Sequence, residues 1–155
     1  MTENELKCCV SGSFFKFKPE IDDTIDEFQG LNIVVLSPDK GWLYIPRHTI
    51  TSEDLKFRPL PSERGMSPAL IEDEFLKCVR KSDFLYVENP EGYVGEMVCL
   101  EIGFAMGCGI PVFSREPIKS EELNDLRFKE IIDQIMIADP EDVEALLKTG
   151  KEGAS

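Results

Sequence analysis

Glu101 stands inside the apolar run Met97-Val98-Cys99-Leu100-Glu101-Ile102-Gly103-Phe104-Ala105. A carboxylate in such company either turns to solvent or is retained for chemistry. The chemistry open to it is stabilisation of a cationic carbon, or attack on one to give a covalent intermediate. If Val98, Ile102 and Ala105 form the core face of a helix, Glu101 falls at its border. The loop before it, Asn89 to Gly95, contains Pro90, Gly92 and Gly95, which permit tight turns and close approach of backbone to a ligand. Tyr93, between two of those glycines, can stack on a planar ring or plug the loop.

A second group lies near the N-terminus. Ser11-Gly12-Ser13-Phe14 ends a short apolar run. A Gly-Ser turn leading into a helix offers backbone N–H groups and a hydroxyl to phosphate or sugar oxygens, or serves only as a turn. Lys16 and Lys18 add positive charge nearby, or are simply solvated. Gly12, Ser13, Phe14, Asn89, Tyr93 and Gly95 are therefore the candidate substrate-binding residues.

These groups need elements to hold them. Residues 6–11 read as a strand. Ile21, Ile25 and Phe28 mark an amphipathic helix over 19–28, stopped by Gly30. Residues 32–36 are continuously β-rich, which predicts a central parallel strand. Residues 39–67 lose all periodicity and form an irregular insertion, either a functional lid or a surface excursion. Ser67-Pro68 opens a helix to about residue 81, followed by a strand over 83–87, a helix over 95–107 and a strand over 110–113. A helix over 121–132, a short strand over 134–138 and a last helix to about 148 complete the chain, leaving a frayed tail at 150–155. This alternation predicts one α/β domain: three layers, with a doubly wound, mostly parallel five-stranded sheet. Ligands of such folds bind at the carboxyl ends of the strands, where both loops lie.

Composition narrows the partners. The chain has 155 residues with 30 acidic against 17 basic, a net charge of −13. That field repels polynucleotides and anionic membranes, so neither a nucleic acid polymer nor a membrane is an expected partner. No apolar run approaches the ~18 residues of a membrane span, and the acidic start lacks a signal peptide's basic region. Cys8, Cys9, Cys78, Cys99 and Cys108 form no CxxC pair. Cys8 and Cys9 read as small buried hydrophobes on opposite faces of a strand. With His48 the only histidine, no metal or other cofactor is expected, and the location expected is cytoplasmic.

Several of these segments resemble one family. Ser11-Gly12-Ser13-Phe14, Ser82-Asp83-Phe84-Leu85-Tyr86-Val87, the stretch from Gly95 to Glu101-Ile102-Gly103-Phe104-Ala105, and Gly109-Ile110-Pro111-Val112 are similar to the nucleoside 2-deoxyribosyltransferase superfamily. That superfamily includes the 2'-deoxynucleoside 5'-phosphate N-hydrolases. The likeness spans roughly residues 7–115, apart from 39–67. It implies that Glu101 is the nucleophile attacking the anomeric carbon of a (deoxy)ribosyl group, with an acceptor base giving a transferase and water a hydrolase. It implies a small nucleoside or nucleotide as partner, and a homo-oligomer.

The pattern departs in two places. Where the transferases carry the aspartate of Asp-Ser-Gly, and the hydrolases a serine, this chain has Gly95, leaving Asn89, Tyr93 or Glu96 to hold sugar hydroxyls. The family also places an aspartate on the helix before the third strand. Family spacing lands on Phe75, and Asp73, ahead of Glu74, is the candidate for that catalytic role. The alternatives of another class are a non-catalytic nucleotide-binding or sensor domain, and a flavodoxin-like flavin binder.

Overall fold

Alternating apolar runs and amphipathic segments assemble into a five-stranded, all-parallel sheet in the computed structural model, which describes residues 5–38, 68–119 and 125–153. In chain order the elements are β1 (Lys7–Ser11), α1 (Phe14–Gly30), β2 (Val34–Ser37), α2 (Pro68–Arg80), β3 (Phe84–Val87), α3 (Glu96–Gly107), β4 (Val112–Ser114), α4 (Leu126–Ile132), β5 (Met136–Ile137) and α5 (Pro140–Gly153). The strand order is β2-β1-β3-β4-β5. The insertion predicted at 39–67 lies outside the described residues. No helix among those described is long and apolar enough to cross a membrane.

Strand alternation sorts the core into two layers. Cys8, Val10, Phe84, Tyr86 and Phe113 face α1 and α5, where Ile21, Ile25, Phe28, Val143 and Leu147 meet them. Cys9, Leu85, Val87 and Val112 face the other way, against Phe75 and Val79 of α2 and Val98, Ile102 and Ala105 of α3. Cys8 and Cys9 are thus buried on opposite faces, as strand geometry requires. The aromatic cluster of the first layer is tight, with Phe28 5.0 Å from Tyr86 and 5.5 Å from Phe84, ring centre to ring centre.

Three expectations change. β2 is an edge strand rather than a central one; a continuous apolar run reports helices on both faces of a strand, not its place in the sheet. The first helix begins at Phe14, with non-helical angles at Phe17 (φ −129°, ψ 34°) just before Pro19. Proline cannot supply the hydrogen bond that would carry a regular helix through that turn. The last helix continues through Gly150 to Gly153, because a single glycine costs a helix only about 1 kcal/mol.

The sheet order reverses between β1 and β3, and the crevice at their carboxyl ends is the expected ligand position in an open α/β sheet. It is held tightly closed at its base. The Glu88 N–H donates to the Ser11 carbonyl at 2.8 Å, extending the ladder past both strands. A Cβ on Gly12 would stand 2.8 Å from the Glu88 carbonyl oxygen and 3.0 Å from Ile21 Cδ1. Gly12→Ala must therefore spread the β1 and β3 ends, and we expect it to destabilise the fold by about 1–3 kcal/mol, read as a lower midpoint in urea unfolding.

Candidate functional site

Glu101 is drawn inward by its helix. Its neighbours at helical spacing, Val98, Ile102 and Ala105, are the residues by which α3 packs on the sheet, and Glu101 is buried with them at 6% exposure. It is therefore not a boundary residue. Two groups meet its carboxyl. The Ser11 hydroxyl, fully buried at the end of β1, donates to Glu101 Oε1. On the other side, Glu72 of α2 shares a hydrogen bond with it.

Two carboxyls in hydrogen-bond contact cannot both be ionised without severe repulsion, which favours the protonated form of Glu101. Burial, then Glu72, hold the Glu101 carboxyl well above the usual carboxylate range, and the Ser11 hydroxyl pulls in the opposite direction. Among the described residues, one oxygen of that Glu72 carboxyl, Oε1, is enclosed without a hydrogen-bond partner. The site is thus a buried carboxyl met by a second carboxyl and steadied by one hydroxyl, at the point where the sheet reverses.

The structure places Asp73 elsewhere. Its side chain is 58% exposed and pairs with Lys77 at 3.1 Å, a surface contact of little energetic weight. Glu74 pairs with the same lysine at 3.2 Å. The carboxyl of α2 that reaches Glu101 belongs to Glu72, which shares a stripe with the core residues Phe75 and Val79 at i, i+3 and i+7. Those two apolar residues were the signal for it. Ser11 had a similar signal, because it lies two residues beyond Cys9 and so faces α3.

The loop residues divide. Asn89 is not available to a ligand: it is wholly buried, its side-chain NH2 donates to the Glu116 carbonyl at 2.8 Å and its side-chain oxygen accepts from the Glu116 N–H at 3.0 Å. Gly12 is spent on packing against Glu88, and Phe14 packs on the α1 side of the core. Ser13 caps α1, its hydroxyl accepting from the Lys16 N–H at 3.4 Å. Tyr93 remains accessible at 39% exposure and bridges the two loops. Lys16 Nζ lies 3.8 Å from its ring centre, and Phe17 packs edge-on at 6.1 Å. Gly95 caps α3 without a side chain, beside the Tyr93 ring.

The other buried carboxylate at this edge, Glu88, has been neutralised differently. Its Oε1 accepts from Arg115 Nε at 3.1 Å and Nη2 at 2.9 Å, and from the Thr24 hydroxyl. Arg115 also reaches Glu27 at 3.3 Å and Asp139 at 3.4 Å. Glu88 is a fastener between β3, α1 and the segment after β4. Asp139, Glu141 and Asp142 form an exposed acidic group at the start of α5, away from the carboxyl pair. Cys9 is buried and its thiol is pushed up to about 12, chiefly by desolvation, so it is no nucleophile at neutral pH.

Because Glu101 binds its proton more tightly folded than unfolded, its contribution to stability is fully present below about pH 4.5. It is lost as pH rises through the folded value. Glu101→Gln keeps the shape and stays neutral, so its stability relative to the natural protein should rise from pH 5 to pH 8, by about 1.4 kcal/mol per unit of upward displacement. Urea unfolding of both proteins across that range measures it, and a pH-independent difference would contradict the raised Glu101 titration.

No protein-family model and no curated protein matches the chain. Among solved structures it is similar to a conserved protein from Enterococcus faecalis V583, with a TM-score of 0.55 at 16% identity, over 94% of this chain and 98% of that one. At that identity the likeness shows the three-layer α/β fold.

Proposed function

We propose that this protein cleaves the N-glycosidic bond of a nucleoside or nucleotide, or transfers its (deoxy)ribosyl group, with Glu101 as nucleophile. The observation that carries the reading is the Glu101–Glu72 pair, a buried carboxyl met by a second at the crevice where α/β sheets bind ligands. The resemblance of residues 95–105 to the deoxyribosyltransferase superfamily supports the same assignment. It also carries the expectation of a homo-oligomer.

In this reading the pair enters and leaves the reaction with one proton and gives it up in between. Glu101, ionised, bonds to the anomeric carbon while the carbon–nitrogen bond breaks and its electron pair passes to the base. The proton, then on Glu72, moves to the departing nitrogen. Water or an acceptor base next attacks the anomeric carbon and releases Glu101 as carboxylate. The proton lost by the incoming nucleophile returns to Glu72. Tyr93, half-exposed above the crevice mouth, offers a ring edge to the base, and Lys16 offers charge to a phosphate.

Incubating the protein with ribo- and deoxyribonucleosides and their 5'-phosphates, with and without a second base, should release or exchange free base detectable by chromatography. Glu101→Ala should reduce that activity by at least about 1,000-fold, with an unchanged circular dichroism spectrum. If the natural protein is inert on every substrate yet binds nucleotides by calorimetry, it is a nucleotide-binding domain and the catalytic reading falls.

A further inference from the structure

Ser11 is fully enclosed at the end of β1, and its hydroxyl reaches across 90 residues of sequence to Glu101. Glu72 meets the same carboxyl from α2. Glu101 is therefore held between a donor that stabilises its anion and a carboxyl that stabilises its protonated form. We propose that Ser11 is a positioning residue for Glu101, its hydroxyl fixing the carboxyl at the end of β1 and keeping it ionisable. The kinetic consequence rests on Glu101 being the nucleophile; the positioning itself does not.

The surroundings leave this task to Ser11. Ser11 and Glu101 are buried at 0% and 6% exposure, so water is a poor replacement for a missing donor. Among the described residues, the titratable groups acting in this environment are Glu72 from α2 and Cys9 from β1. The Cys9 thiol stays neutral and turns to Ser82 at 3.3 Å. Glu72 gives Glu101 no help in ionising. The single hydrogen bond from Ser11 is what opposes desolvation, and a hydrogen bond to a charged group in a dry site is among the stronger ones.

The test is a carbon-13 NMR titration of the glutamate carboxyls in the full chain, with Glu72→Gln and Glu101→Gln assigning the two signals. Ser11→Ala removes the donor; Ser11→Cys keeps nearly the same volume with a weak one, should the smaller residue loosen the fold. Both should raise the Glu101 titration by about one unit or more, and Ser11→Thr, which retains a hydroxyl, should reverse the change. Where base release is measurable, kcat at pH 6 should fall about tenfold with KM little changed, and the acid limb of the profile should move up by the same interval. Unmoved carboxyl titrations in a folded Ser11→Cys protein would overturn the proposal, even if the enzyme is active. Shifted titrations in a protein that cleaves no nucleoside would support Ser11's role while removing the proposed reaction.

Discussion

The parallel pairing of β1 with β3 sets the geometry of everything at the carboxyl edge. Its register, Val10 opposite Tyr86 and Ser11 opposite Val87, brings the two chain exits level, and β2 on the far side of β1 makes this the place where the sheet order turns. Right-handed crossovers then send α1 to one face and α2 and α3 to the other. Ser11 is the last residue of β1 on the α3 side, so its hydroxyl arrives under α3 where Glu101 descends. A one-residue slip would turn that hydroxyl to the α1 face and present Val10 in its place. Gly12 enforces the register, because nothing larger fits against the Glu88 carbonyl.

Two carboxylates are buried at this edge, and each is neutralised by a different means. Glu88 has a guanidinium, two of whose nitrogens bond the same oxygen, and a hydroxyl. Its role is to tie three elements together. Glu101 has no cation among its described partners; burial and Glu72 instead hold its carboxyl well above the usual carboxylate range. A guanidinium fixes charge permanently, whereas a carboxyl proton can leave when a cationic centre arrives. The two faces of one sheet edge therefore divide into a fastened side and a titratable side. Only the second can change its charge during a reaction.

Much of this was legible in the residues. Apolar periodicity placed all five strands and the buried faces of α1 and α3, and the glutamate inside the α3 run identified itself by its company. What escaped depended on contacts that local pattern does not encode. Asn89 looked like a ligand-binding residue in a glycine-rich loop, but its amide is committed to the backbone of Glu116, 27 residues on. Asp73 was the nearer match to an aspartate pattern, yet a helix turns about 100° per residue, and Phe75 and Val79 orient the preceding residue, Glu72, inward. β2 was misplaced because strand composition carries no information about which neighbour it pairs with. Arg115 carried no signal at all, since its three carboxylate partners come from α1, β3's end and the turn before α5.

Tyr93 ties the remaining loop features together. An ammonium over one face and a phenyl ring at its edge hold it across the mouth of the crevice, linking the β1–α1 turn to the β3–α3 loop through cation–π and aromatic contacts. That accounts for the absence of a capping side chain on α3. A Cβ at Gly95 would begin 3.6 Å from the Tyr93 hydroxyl oxygen, so the phenol stands beside the start of α3. The first-turn N–H groups of α3 are left without a side-chain acceptor from Gly95. On a chain of net charge −13, the proposed reading needs attraction for an anionic substrate at the crevice mouth, and the Lys16 ammonium over Tyr93 is placed to supply it.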